Sequence, residues 1–128
     1  MLICPGLTLR NISEMIFDIE PHLNIQLFSE YQADSIALTF ASHLYECYYK
    51  KEGFIIVNYW RQLEGHKGGH ICVIGGFDPK SNSILILDTN AKRFPLHWIS
   101  LENFLPLLCK VDRNVNLPRG YLVVKKSV

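Results

Sequence analysis

Two residues in the stretch GGHICVIGGFDPKSNSILILD, residues 68 to 88, are of a type that moves protons: His70 and Asp88. His70 follows two glycines at the mouth of one apolar run, and Asp88 closes the next. Imidazole is the side chain that changes charge near neutral pH. A buried carboxylate accepting from one ring nitrogen fixes the tautomer and stabilises the imidazolium. The other nitrogen then acts as general base toward a nucleophile. The plainer alternative has His70 capping a strand end and Asp88 opening a turn with Thr89 and Asn90.

The elements that must bring the pair together are legible. Asp78-Pro79-Lys80-Ser81-Asn82 is turn chemistry, so Gly69 to Phe77 and Ser83 to Leu87 are predicted to form an antiparallel hairpin. In such a hairpin the start of one strand lies near the end of the next. His70 and Asp88, 18 residues apart, are then close in space. Strand alternation puts His70, Cys72 and Ile74 on one face and Ile71 and Val73 on the other. Gly68 and Gly69 leave the approach to the ring uncluttered.

A base of this kind needs a nucleophile, and the chain has four cysteines: Cys4, Cys47, Cys72 and Cys109. Attack requires a thiolate poised at the histidine. Cys4 lies in an apolar leader and has reach. Cys72 shares a face with His70, but strand neighbours two apart sit roughly 7 Å from each other and point alongside. Cys47 and Cys109 fall on helices and read as small core residues. His66, His70 and Cys72 as a zinc site match no common ligand spacing, so no metal site is assigned. His22 and His43 read as a loop and a helix surface, and His66 and Lys67 as a solvated loop. Trp60 and Trp98 read as packing residues, and Tyr45, Tyr48 and Tyr49 as core plus rim.

Thr8 is a plausible N-cap for a first helix with Leu9, Ile12, Ile16 and Ile19 at helical spacing, Asn11 with Glu14 a rival start, and Pro21 the stop. Asn24 to Phe28 alternates as a short strand. Ser29 with Gln32 reads as a capping box for the longest helix, Glu30 to Lys50. Phe54 to Tyr59 is a buried strand, and Arg61 to Gly68 a polar loop. Asn90 to His97 is irregular, Ser100 caps a helix to Leu108, and Gly120 to Val124 is the last strand. The class is α+β, an antiparallel sheet with helices packed on it.

The chain has 128 residues, and one domain over 1–128 is expected. A net charge of +1 favours neither nucleic acid nor an anionic membrane as partner. The cysteines form no CxxC pair, so reduced thiols and a cytoplasmic location are expected. The N-terminus is apolar for too few residues to be a signal or a spanning helix.

The stretches GGHICVIGGF, SILILD, RFPLHWISLENF and RGYLVV, with PGLTLRNISEMI and FIIVNYWRQLEG upstream, resemble the second half of the phytochelatin synthase catalytic domain. That resemblance implies a papain-like cysteine peptidase half. It makes His70 the triad histidine and Asp88 the residue that orients it. It also implies a glutathione-like γ-glutamyl peptide as substrate: a cysteine is acylated by γ-Glu-Cys and glycine leaves. The family's activity is linked to thiophilic metal ions, with no resident cofactor. His97 belongs to the resemblance and has no chemical role of its own.

Two departures stand out. The family's nucleophilic cysteine and oxyanion-hole glutamine lie N-terminal to everything seen in this chain. The arginine that the family commonly has three residues past the aspartate is matched by Ala91, with Arg93 two residues on as its replacement for gripping a substrate carboxylate. Two readings follow. In one, the chain is half of a thiol acyltransferase that a complementary N-terminal lobe completes. In the other, it is an inactive relative serving as a binding or interaction module. A missing lobe also predicts a bare apolar face around His70, and self-association or partner binding through it.

Overall fold

A computed structural model describes residues 7–63, 66–88, 95–113 and 115–127, with side chains for all of these except 62, 63, 66 and 67. In chain order the elements are α1 (Leu9–Ile19), β1 (Leu23–Phe28), α2 (Ala33–Leu44) continued by a π-helical turn (Tyr45–Tyr49), β2 (Gly53–Leu63), β3 (His66–Asp78), β4 (Ser83–Leu87), β5 (His97–Ser100), α3 (Leu101–Leu108), β6 (Val111–Asp112), β7 (Leu117–Pro118) and β8 (Gly120–Lys126). Six strands form one antiparallel sheet in the order β1-β8-β2-β3-β4-β5, and β6 pairs with β7 apart from it. The α+β class stands.

Local signals set several boundaries. Thr8 caps α1: its hydroxyl accepts from the Asn11 N–H, and the Asn11 side chain accepts from the Thr8 N–H. The Ser100 hydroxyl accepts from the Asn103 N–H and starts α3. The expected Ser29/Gln32 box is not formed. Gln32 itself occupies the cap of α2 without a side-chain bond. The long helix also ends in a π turn, where it reaches the sheet.

Tyr48, in that turn, shows why. Its hydroxyl accepts from the Ile55 N–H at 2.8 Å and donates to the Ile74 carbonyl. The β2–β3 ladder stops at Ile56 and Val73, so Tyr48 stands in for the bond the next pair would have made. Tyr45 and Tyr49 stay exposed and stack on each other at 4.7 Å.

The sheet's two faces have different covers. On one, Ile55, Val57, Tyr59, Cys72, Ile74, Ile84 and Ile86 meet Ile36, Phe40 and Leu44 of α2 and Leu101, Phe104 and Leu108 of α3. Phe40 and Phe104 stack at 5.9 Å, and Phe104 touches Tyr59 at 5.2 Å. Each fully buried side chain of this size contributes about 1.5–3 kcal/mol. On the other face α1 lays Leu9, Ile12 and Ile16 over Ile56, Leu122 and Val124.

Several expectations need correction. Arg61 is not in a loop: β2 runs to Leu63, and β3 begins at His66. His97 opens a strand that Pro95 conceals in the sequence. His43 is not a plain surface residue, because its Nδ1 meets the Tyr121 hydroxyl at 2.8 Å. The face that carries His70 is not bare either, since α2 and α3 of the same chain cover it. Trp98 is half exposed. It lies beside Gly76 and belongs to the opposite face, because its neighbour Ile99 packs into the α2–α3 core.

Candidate active site

Three adjacent strands supply one side chain each. Arg61 comes from β2, His70 from β3 and Asp88 from the residue after β4. His70 Nε2 lies 2.7 Å from Asp88 Oδ2, and an Arg61 guanidinium nitrogen lies 2.8 Å from the same oxygen. The Asp88 side chain is 2% exposed, those of Arg61 and His70 10% and 16%. At 2.7 Å from a carboxylate oxygen, which can only accept, Nε2 is assigned the proton, and that assignment leaves the lone pair on Nδ1. The Tyr59 ring meets His70 edge-on at 5.9 Å and joins the site to the core.

The hairpin reading reaches this geometry only through a feature that the sequence does not advertise. Near the turn, Asp78 pairs with Ser83 and Phe77 with Ile84. Had that register run on, Asp88 would stand opposite Val73, on the face away from His70. A bulge between Ile74 and Gly76 shifts it by one, so Ile74 pairs with Ile86 and Val73 with Leu87. Asp88 then falls opposite Cys72, diagonal to His70 and on its face. Gly75 is the extra residue, and a Cβ there would sit 2.6 Å from the Leu87 side chain. Gly75→Val is expected to destabilise the fold by about 1–3 kcal/mol. It should also weaken the His70–Asp88 contact, read as a changed His70 titration midpoint in NMR. An unchanged midpoint would mean that the bulge does not set the pair.

Electrostatics favour a neutral imidazole. Burial lowers the His70 pKa, the Arg61 cation lowers it further, and Asp88 pulls it back up. The cysteines tend the other way. Burial pushes the Cys72 thiol up to about 12, with the Asp88 charge adding to it. Burial likewise raises Cys47 to about 11 and raises Cys109. All three are buried, uncharged thiols rather than poised nucleophiles. Cys4, Ala91 and Arg93 lie outside the described residues, as does the His66 side chain.

A second polar group lies through the sheet from His70. Arg119 donates to Asn58 Oδ1 at 3.0 Å, and Asn58 Nδ2 donates to Asp112 Oδ2 at 3.4 Å. Asn58 and Asp112 are each 3% exposed. The Arg119 guanidinium covers the Trp60 ring at 5.4 Å. It also presses on Gly69, where a Cβ would meet its Nη1 at 2.1 Å. That close approach, beside the ring's own residue, is what Gly69 permits. The three polar residues line a cavity of about 70 Å³ together with Thr8, Arg10 and Ser29. The Arg119 Nε–H is buried with no acceptor among the described residues.

The phytochelatin synthase family profile matches residues 3–121. The chain belongs to the phytochelatin synthase family. Glutathione gamma-glutamylcysteinyltransferase 3 of Lotus japonicus is 30% identical over 94 residues, 73% of this chain and 20% of its own length. The glutathione gamma-glutamylcysteinyltransferase of Schizosaccharomyces pombe is 27% identical over 123 residues, 95% of this chain and 25% of its own length. The chain therefore spans about a fifth to a quarter of the length of these phytochelatin synthase relatives.

Arg61, Asn58, Asp112 and Arg119 are the polar residues that sequence reasoning missed. Arg61 stood in a run read as loop. Arg119 meets Asn58 through the long-range pairing of β8 with β2, and Asp112 reaches it from the separate β6–β7 pair. No group of three His, Cys, Asp or Glu able to hold a metal occurs among the described residues. No helix among them is long and apolar enough to cross a membrane.

Proposed function

We propose that His70, held by Asp88 and Arg61, is the base of a papain-like thiol acyltransferase or peptidase acting on a glutathione-like γ-glutamyl peptide. The attacking thiol comes from a cysteine other than Cys47, Cys72 and Cys109, on a complementary lobe that reaches the ring at its 16% exposed margin, since α2 and α3 already cover the rest of that face. The observation that carries this reading is the buried His70–Asp88 contact at 2.7 Å. His70 Nδ1 takes the thiol proton, and the sulfur attacks the carbonyl of the scissile amide. The C–N bond breaks, and the imidazolium returns its proton to the departing amine. Water or a second peptide then takes the acyl group from sulfur. The relatives' name, glutathione gamma-glutamylcysteinyltransferase, supports this substrate class.

The test is substitution of this chain for its matching segment in the Schizosaccharomyces pombe relative. The chimera should turn over glutathione. The isolated chain should neither hydrolyse glutathione nor build γ-Glu-Cys polymers, with or without a thiophilic metal ion. A folded but inactive chimera would favour a binding module instead. Turnover by the isolated chain that Cys4→Ser abolishes would make Cys4 the nucleophile.

A further inference from the structure

The sheet ends in two unlike edges. β5 has four residues and follows Pro95 closely, which limits what pairs with it. β1 has six residues, LNIQLF, and an unbroken register to β8. It contains no charge, proline or bulge, the usual devices that blunt an edge. One side of its backbone pairs with β8, and the other has no strand partner among the described residues.

The order of residues along β1 says what fits there. Leu23-Asn24-Ile25-Gln26-Leu27 reads the same in both directions by residue class. An antiparallel copy related by a two-fold axis at Ile25 would set Leu23 against Leu27, Asn24 against Gln26 and Ile25 against Ile25. Like meets like at every position, and the amides can bond across the strands. The three apolar residues share the face that α1 covers. A groove of about 440 Å³ runs there, lined by Phe17, Leu23 and Ile25 and rimmed by the carboxylates of Glu14 and Asp18. Phe17 is 56% exposed and Leu27 47%. A second strand laid along the edge would cover both.

We infer that β1 is a self-association edge, through which a second copy of this chain extends the sheet in the Ile25-centred register. The interface lies at the far end of the sheet from β4 and β5 and is independent of the proposed chemistry.

Sedimentation equilibrium across the micromolar range tests this on the whole chain. The wild type should show a monomer–dimer equilibrium. Asn24→Lys with Gln26→Lys puts like charges directly opposite and should weaken the dissociation constant by about tenfold or more. Asn24→Lys with Gln26→Glu puts opposite charges there and should return it to within about threefold of wild type. Both positions are exposed, so thermal unfolding should stay near wild type and exclude misfolding. A monomeric wild type, a dimer indifferent to the lysine pair, or equal weakening by both double variants would each overturn the inference.

Discussion

In the chimera with the Schizosaccharomyces pombe relative, His70→Ala is expected to lower glutathione turnover by about 10²–10⁴-fold, the usual contribution of a positioned acid–base group. The loss should fall on kcat. His70 lies in a buried pair that orders its ring, and nothing in the proposed chemistry has it grip the ground-state substrate. His97→Ala is the control. Among the described residues that ring's hydrogen-bond partner is the Pro95 carbonyl, at 3.2 Å, and its removal should leave turnover unchanged. Equal losses in the two variants would point to folding rather than proton transfer.

The second large effect is on stability. Asp88→Ala removes the carboxylate that Arg61 and His70 both address, at 2.8 and 2.7 Å. Removing one partner of a buried charged pair costs about 3–5 kcal/mol, because the other charge stays in a poorly solvated place. Chemical denaturation of the isolated chain would read this directly. Asp88→Asn should lose less, since the amide oxygen still accepts one bond. The remaining His70 should titrate lower than in the wild type, because Asp88 is the group that raises its pKa. A loss under about 1 kcal/mol would place the pair among weak surface contacts.

What could be read beforehand was whatever local signals govern. Thr8 and Ser100 cap helices through bonds to residues three ahead. Asp78 to Asn82 folds the hairpin, and β4 is Ser83–Leu87 as read. The pair His70–Asp88 followed from the hairpin, but its common face did not. Ile71 and Val73 are as apolar as Cys72 and Ile74, and only the bulge at Gly75 chooses between the two sets. The Arg61 strand was hidden because polar residues pair in a ladder as well as apolar ones do. The covering of the His70 face was hidden for a related reason. Which helix lies on which face is a matter of sheet order, and β8 between β1 and β2 is a long-range pairing.

The central claim is that His70 is a neutral base presented by Asp88. Nitrogen-15 NMR of the histidine rings across pH measures it most directly. A midpoint below the ordinary value of about 6.5 is expected, with the neutral proton on Nε2. The sign carries over to stability. The folded midpoint is lowered, so this contribution is whole above about pH 6.5 and is lost as pH falls through that value toward the folded midpoint. A midpoint at or above about 6.5, or a neutral ring protonated at Nδ1, would contradict the account.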